Sequence, residues 1–150
     1  MKLQNFNDLE LMVGNCYGEA RMVEGDWVSD IKEYLAIGCT VMNRVKSQRW
    51  GGTPKSVILQ PKQFSWTNDG DPSKDAVLHF LSTKQPNKLY MDLTIYMKSV
   101  LSGKCIDFSN GANHYVALWL YEKENKQKWI ENMTIVEAYG GHIFLTDGGK

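Results

Sequence analysis

A glutamate at the border of a predicted apolar helix face is the first residue whose type and position could do chemistry. Glu19 lies beside Met12 and Cys16 in a segment whose apolar residues follow helical spacing. A carboxyl group at such a border is partly desolvated, and desolvation raises its pKa above the usual value of about 4.3. A glutamate with a pKa of about 6 serves as a general acid near neutral pH. The plainer alternative is a helix-edge glutamate paired with Arg21 or Lys32.

Two clusters further along the chain suit a sugar-binding cleft. Gln63-Phe64-Ser65-Trp66 offers aromatic faces that stack on sugar rings, beside amide and hydroxyl groups that pair with sugar hydroxyls. Gly111-Ala112-Asn113-His114-Tyr115 joins small residues, which let a ligand approach the backbone, to three polar side chains. The plainer interpretations are a buried turn anchored by its tryptophan and a turn that leads into an apolar segment.

The helix that must carry Glu19 has clear start signals. Asn7 and Glu10 have the spacing of a capping box, and Phe6 and Leu11 have that of a hydrophobic staple. The apolar stripe that follows comprises Leu9, Met12, Val13, Cys16, Ala20 and Val23. We therefore expect one buried helix face with Glu19 at its edge.

Three more helices are expected after the first. The second is predicted to begin near Asp30 with Glu33 as its capping-box partner, and Gly38 in its middle predicts close approach by another helix. The third begins at Asp71-Pro72-Ser73, because proline suits the first helical turn. The fourth ends near Gly103, which is a good C-cap.

The pattern then changes to β-strand signals. Residues 134–138 and 142–146 flank Tyr139-Gly140-Gly141, which is typical of a β-hairpin with a glycine turn. Residues 122–128 are almost all charged or polar, which indicates a solvated segment. The expected fold is α+β and mainly α, with one domain over residues 1–150 in which a helical body precedes a small β-hairpin.

Composition limits the class of protein. The 150 residues include 17 basic and 17 acidic side chains, and a formal charge of zero argues against a nucleic-acid partner. Cys16, Cys39 and Cys105 show no CxxC spacing, so we expect reduced and mostly buried thiols. The three histidines are equally scattered, and we expect no metal site and no cofactor. Apolar runs are too short for membrane insertion. We also expect the protein to be a monomer.

Five segments together resemble the cell-wall hydrolases of the spore-cortex-lytic (SleB-type) family. In chain order they are Tyr17-Gly18-Glu19-Ala20-Arg21, Val41-Met42-Asn43-Arg44-Val45, Gln63-Phe64-Ser65-Trp66, Gly111-Ala112-Asn113-His114-Tyr115 and Gly140-Gly141-His142-Ile143-Phe144. The chain departs from the family pattern in two places. Asn113 stands where the family usually has threonine, and Met22-Val23 is inserted before Glu24-Gly25.

The resemblance implies a fold of the lysozyme and lytic-transglycosylase kind. It also implies cleavage of the β-1,4 bond between N-acetylmuramic acid and N-acetylglucosamine in bacterial peptidoglycan strands. Glu19 matches the position of the family's catalytic acid. The positions that would bind substrate or support the cleft are Asn43, Gln63, Phe64, Ser65, Trp66, His114, Tyr115 and His142.

The number of carboxylates bears on the type of reaction. Glycosidic cleavage needs a proton on the leaving oxygen, and hydrolases normally add a second carboxylate. The motifs offer only Glu19, which favours a lytic transglycosylase: Glu19 protonates the leaving oxygen and then deprotonates the C6 hydroxyl of the muramic acid. True hydrolysis stays open, because Asp69 or Asp71 would supply a second carboxylate to position water.

The N-terminal segment bears on where the protein would act. Residues 1–5 contain a lone lysine and no apolar stretch, which is not the pattern of a signal peptide. A small enzyme of this family without such a segment fits a bacteriophage endolysin. We therefore expect it to stay in the host cytoplasm before lysis and to reach the cell wall after a holin opens the membrane.

Two alternatives from other classes stay open. A cysteine amidase or peptidase would use Cys16 with His114 or His142, although Cys16 falls at the centre of the predicted apolar stripe, where an inert thiol is expected. A non-catalytic module would bind glycan through the same aromatic residues without cutting it. Thiol alkylation tests the first alternative, and wall binding without release of fragments would support the second.

Overall fold

The computed structural model describes residues 2–20, 31–83, 87–122 and 128–149. Within these ranges the chain forms seven α-helices and one three-stranded sheet. The helices are α1 (Asp8–Ala20), α2 (Ile31–Ser47), α3 (Pro54–Ile58), α4 (Pro72–Thr83), α5 (Lys88–Leu101), α6 (Leu118–Tyr121) and α7 (Lys128–Glu131). The strands are β1 (His114–Ala117), β2 (Thr134–Tyr139) and β3 (His142–Thr146). Outside the described residues lie Arg21, Val23, the insertion before Glu24, the predicted cap Asp30 and most of the charged segment at 122–128.

The start of α1 is capped as the sequence predicts. The side chain of Asn7 accepts a hydrogen bond from the backbone N–H of Glu10 at 2.8 Å, and the Glu10 carboxylate accepts one from the backbone N–H of Asn7 at 3.0 Å. Phe6 and Leu11 are both buried in the main core. The capping box is therefore confirmed, and α1 packs its apolar stripe into the core over its described length.

Two glycines let the helices approach closely. A Cβ atom on Gly38 would lie 2.8 Å from Sδ of Met97 in α5, and one on Gly14 would lie 2.9 Å from Cδ1 of Leu81 in α4. Alanine at either position would overpack these contacts and force a shift. The close approach predicted at Gly38 is thus confirmed, and it brings α2 against α5 while Gly14 brings α1 against α4.

The predicted signals at the start of α4 and the end of α5 are also confirmed. Oδ1 of Asp71 accepts the backbone N–H of Ser73 at 2.8 Å at the start of α4. Gly103 follows the end of α5 with a φ of +76°, which suits glycine. Glu33, predicted as the capping-box partner of Asp30, is buried against the turn between β2 and β3, while Asp30 itself lies outside the described residues.

The sheet is antiparallel with the strand order β1-β3-β2. The predicted hairpin is confirmed, since β2 and β3 pair around Gly140-Gly141 and Gly140 has a φ of +54°. The sequence patterns missed β1, which places His114 opposite Leu145 and Ala117 opposite His142 of β3. The sequence His-Tyr-Val-Ala does not alternate between polar and apolar residues, which is the pattern that marks a half-buried strand.

β3 is buried on both faces and joins two cores. Phe144 packs with the helices in the main core, whereas Ile143 and Leu145 form a smaller core with Val116. His142 shares the Phe144 face of β3, because side chains alternate along a strand. The fold is therefore mainly helical with a small sheet, as the sequence predicts. None of the described helices is both long and apolar enough to cross a membrane.

Candidate active site

A cleft of about 630 Å³ brings residues of the helical body and the sheet together. The predicted site residues that line it are Glu19, Gln63, Phe64, Ser65, His114, Tyr115 and His142. They come from the end of α1, the loop after α3, the start of β1 and the start of β3. Segments that are far apart in sequence thus meet at one concave surface, which is the usual form of a ligand site.

Glu19 lies in the last turn of α1, is partly buried and lines this cleft. Its carboxyl group makes no hydrogen bond or ion pair with any described residue. Burial raises the pKa of Glu19 to about 7, and the charge of Asp71 raises it by a smaller amount. Such a carboxyl group is protonated in about half of the molecules at neutral pH, which suits a general acid.

The two aspartates considered as second carboxylates lie outside the cleft. Asp69 is exposed and forms an ion pair with Lys74. Asp71 caps α4, although it is near enough to raise the pKa of Glu19. In the part of the chain that the structure describes, Glu19 is the only carboxylate that lines the cleft.

Phe64 and Tyr115 form an aromatic surface beside Glu19. Their ring centroids are 5.8 Å apart, and the Tyr115 hydroxyl accepts a hydrogen bond from Nδ2 of Asn15 at 3.2 Å. Burial raises the pKa of Tyr115 well above its usual value, so the phenol stays protonated. Gln63 is exposed at the cleft mouth, where its Oε1 atom lies 3.4 Å from a guanidinium nitrogen of Arg44.

A polar network fixes the start of β1. Nε of Arg44 donates to the carbonyl oxygen of Asn113 at 2.7 Å, and another Arg44 nitrogen lies 3.3 Å from Nδ1 of His114. Nε2 of His114 lies 3.3 Å from Oδ2 of Asp147. Asp147 also accepts two hydrogen bonds from the Arg49 guanidinium, which hold its pKa well below the usual range. We call Arg44, Arg49, Asn113, His114 and Asp147 the Asp147 network.

The Asp147 network determines which nitrogen of His114 carries hydrogen. Arginine only donates, so Nδ1 of His114 accepts from Arg44; a carboxylate only accepts, so Nε2 carries the hydrogen that faces Asp147. Burial and the charge of Arg44 lower the pKa of His114, which keeps its ring neutral near pH 7. Both ring nitrogens are occupied, and His114 shapes the cleft wall without a nitrogen left for a substrate.

At the other end of the β1–β3 ladder, where Ala117 pairs with His142, the carboxylate of Glu33 holds the strand. Oε2 of Glu33 accepts the backbone N–H of Gly141 at 2.7 Å and lies 3.1 Å from Nδ1 of His142. The side chains of Glu33 and His142 are only 4% and 7% exposed. His142 lines the cleft, whereas Glu33 lies behind it. We call these two residues the Glu33–His142 pair.

Two predicted site residues lie outside the cleft and support it. The Trp66 indole is 1% exposed, donates to Oδ1 of Asn15 at 2.8 Å and packs against Gly18. Nδ2 of Asn43 donates to the carbonyl oxygen of Ala112 at 2.9 Å, in the loop that leads into β1. Trp66 therefore anchors α1 instead of offering its ring to a sugar, and Asn43 holds the loop.

Two tryptophans that the sequence analysis did not select line the cleft instead. Trp119 in α6 is 63% exposed and Trp129 in α7 is 41% exposed. The Trp129 ring centroid lies 5.9 Å from that of His114. Accessible indole faces on a cleft wall are suitable surfaces for sugar rings. The signal that could have found them is their position, because both border the charged segment at residues 122–128, where core residues are not expected.

Cys16 does not share the cleft with the histidines. Its Sγ atom is buried in the main core, 3.6 Å from Sδ of Met97, and burial raises its pKa far above the usual range. A thiolate nucleophile at Cys16 therefore has no access to a substrate in this cleft. Among the described residues, no group of three or more potential ligands from histidine, cysteine and acidic side chains could hold a metal ion.

Comparison with known proteins assigns the chain to a family. The family model described as Cell Wall Hydrolase matches residues 29–145, and the chain belongs to this family. It is 30% identical over 95 residues to the spore cortex-lytic enzyme of Oceanobacillus iheyensis. That alignment covers 56% of this chain and 32% of the relative, so the chain matches about a third of the relative's length.

A solved structure supports the fold. The catalytic domain of the Bacillus cereus SleB protein superposes with a TM-score of 0.63 at 23% identity, covering 93% of this chain and 89% of that domain. The family match includes Arg44, His114 and His142, whereas Glu19 precedes it. The position of Glu19 in the cleft is therefore an observation independent of the family match.

Proposed function

We propose that this protein degrades peptidoglycan by cutting the β-1,4 bond between N-acetylmuramic acid and N-acetylglucosamine as a lytic transglycosylase. Membership of the cell wall hydrolase family and similarity to a spore cortex-lytic enzyme support this substrate. The observation that carries the reaction type is the single carboxyl group, Glu19, on the cleft lining of the described residues. A hydrolase would need a second carboxylate to activate water or to attack the sugar.

Glu19 acts twice in this mechanism. Its proton first passes to the glycosidic oxygen as the bond between that oxygen and C1 of the muramic acid breaks, and positive charge develops at C1. The Glu19 carboxylate then takes the proton of the C6 hydroxyl, whose oxygen bonds to C1 and closes an anhydro ring. No water is consumed, and Glu19 regains its proton. A pKa of about 7 makes both forms of the carboxyl group accessible near neutral pH.

Mass spectrometry of digested peptidoglycan tests the proposal. Wild-type protein should release fragments with anhydromuramic ends, and Glu19→Gln should slow their release roughly 100- to 10,000-fold because it removes the acid but keeps the size. Asp69→Asn is the matched control, since Asp69 is an exposed carboxylate outside the cleft, and it should cut like wild type. Glu19→Gln with wild-type activity would contradict the assignment.

The same experiment separates the alternatives. Reducing ends that carry one added water would identify a muramidase and make Asp71→Asn the next variant. Cell-wall binding without release of any fragment would identify a glycan-binding module. Loss of activity on thiol alkylation would favour the Cys16 alternative, which its burial in the core disfavours.

The biological setting stays a prediction. A bacteriophage endolysin would remain in the host cytoplasm until a holin opened the membrane. Expression in bacterial cells should then cause lysis only together with a holin. Gel filtration checks the predicted monomeric state.

A further inference from the structure

The mechanism proposed above assigns no role to the Glu33–His142 pair. We propose that Glu33 is a positioning residue that holds His142 with the lone pair of Nε2 facing the cleft, where it accepts a hydrogen bond from a hydroxyl or acetamido N–H of the bound sugar. This inference rests on the proposed function, because it requires an aminosugar in this cleft.

The first step concerns the ring tautomer. A carboxylate only accepts hydrogen bonds, so the contact between Oε2 of Glu33 and Nδ1 of His142 at 3.1 Å requires the hydrogen to be on Nδ1. In a neutral imidazole the other nitrogen, Nε2, then carries a lone pair. Glu33 therefore determines the chemical character of the opposite edge of the ring.

The second step concerns where Nε2 lies. This nitrogen makes no hydrogen bond within the described residues, and it is not among the side-chain atoms there that are both buried and unsatisfied. The His142 side chain is only 7% exposed and it lines the cleft. The accessible edge of the ring, which includes Nε2, therefore faces the cleft. An acceptor that protein groups leave open at a cleft wall is available to a donor on a ligand.

The third step concerns rigidity. Glu33 lies in the first turn of the long helix α2, and the backbone N–H of Gly141 fixes its carboxylate at 2.7 Å. On the other side, the Tyr115 ring meets the His142 ring edge-on at a centroid distance of 5.6 Å. A nearly buried imidazole held at one nitrogen and packed by an aromatic ring keeps a single orientation, which is what a substrate contact needs.

The tautomer can be measured directly in the intact protein. Long-range proton–nitrogen correlation spectra show which ring nitrogen carries hydrogen in each of the three histidines. We expect Nδ1–H in neutral His142 and Nε2–H in His114, so the two residues serve as references for each other. Variants His79→Asn and His142→Asn assign the signals. An Nε2–H tautomer at His142 would overturn the proposal.

Activity of matched variants tests the substrate contact on soluble, cross-link-free glycan strands. His142→Asn places an amide nitrogen near Nδ1 to face Glu33 but removes the Nε2 acceptor, and kcat/KM should fall about 10- to 100-fold with the folded state retained. His79→Asn is the control, since His79 is exposed on α4 and outside the cleft, and it should leave kcat/KM unchanged. Equal kcat/KM for His142→Asn and wild type would overturn the contact.

Two substitutions at Glu33 distinguish the effect of its hydrogen-bond acceptor from the effect of its side-chain volume. Glu33→Gln keeps an oxygen that accepts from Gly141 and from Nδ1, so kcat/KM should fall only about two- to threefold and the tautomer should persist. Glu33→Met has similar size without an acceptor, so kcat/KM should fall at least about tenfold and His142 should gain the Nε2–H form. Equal losses for a folded Glu33→Met and Glu33→Gln would contradict a positioning role. If Glu33→Met does not fold, the tautomer of His142 in the wild-type protein and the kcat/KM of His142→Asn still test the proposal.

The outcomes distinguish this inference from the proposed function. If wild-type protein releases no glycan fragments, the proposed function fails, whereas the tautomer measurement is unaffected. If Glu19→Gln abolishes anhydro products but His142→Asn matches wild type, only the inference about the Glu33–His142 pair fails.

Discussion

The Asp147 network and the Glu33–His142 pair hold the two ends of the β1–β3 ladder in opposite ways. Both contain a histidine on the cleft wall, and both are held by a charged residue of α2. Glu33 and Arg44 are eleven residues apart, which places them on the same face of α2 about 16 Å from each other. Glu33 holds one end of the β1–β3 ladder by hydrogen bonds, and Arg44 holds the other end.

The difference lies in the hydrogen-bonding capacity that each histidine has left. Arg44 and Asp147 occupy both nitrogens of His114, whereas Glu33 occupies one nitrogen of His142 and leaves the second open to the cleft. The charge of the α2 partner thus sets the tautomer of each histidine, and the second partner Asp147 is what leaves His114 without an open nitrogen. The acid lies in the first turn of α2 and the base in its last, which also suits the helix dipole.

The largest expected effect on stability is at the Asp147 network, where both nitrogens of the histidine are occupied. Arg44→Lys keeps the charge but loses the Nε–H bond to Asn113 and the planar fork that meets His114, so the free energy of unfolding should fall by about 2–3 kcal/mol. Arg49→Lys is the control, because the Arg49 side chain is 40% exposed and an exposed ion pair contributes about 1 kcal/mol or less. Urea unfolding checks both, and equal losses would show that burial of Arg44 does not matter.

A paired substitution of the two histidines sharpens the comparison. His114→Asn keeps an acceptor near the Nδ1 position for Arg44 but breaks the bond between Nε2 and Asp147, and it should lower the free energy of unfolding by about 1–2 kcal/mol. His142→Asn keeps a donor for Glu33, so its loss of stability should be smaller, about 0.5–1 kcal/mol, while its loss of kcat/KM is the larger of the two. The division of roles would be refuted by a His142 variant that is less stable than the His114 variant.

Features that depend on near neighbours in the chain could be predicted from the sequence. The Asn7–Glu10 capping box and the turn at Gly140 are set within a few residues, and the structure contains both. The motif residues Gln63 and His114 also reach one cleft, although only the family resemblance indicated that they would meet.

Features that depend on distant partners could not be predicted. Glu33 has the spacing of a capping box, yet its carboxylate partners are more than a hundred residues away in the hairpin turn. Trp66 and Trp119 are the same residue type, and only tertiary packing buries the first and exposes the second. Asn113, a departure from the family pattern, bonds with Asp147 through its side chain at 2.9 Å, which links the start of β1 to the end of β3.

The last expected effect depends on pH and concerns Glu19, which lacks the partners that Asp147 has. Its pKa is about 7 in the folded protein against about 4.5 for an unperturbed glutamate, so the folded state binds the proton more tightly than the unfolded chain does. The contribution of Glu19 to stability is therefore full below pH of about 4 and is lost as the pH rises through about 7.

Glu19→Gln removes this titration and stays neutral at every pH. Its Tm should exceed that of wild type by roughly 6–12 °C at pH 8 and nearly equal it near pH 4.5. Asp69→Asn is again the control, with no comparable gain on going from low to high pH, because Asp69 is exposed. Thermal melts at the two pH values provide the test. A Tm difference between Glu19→Gln and wild type that did not grow with pH would mean that the cleft does not disfavour the Glu19 carboxylate. In that case Glu19 would titrate like a surface residue and would be ionised when the leaving oxygen needs its proton.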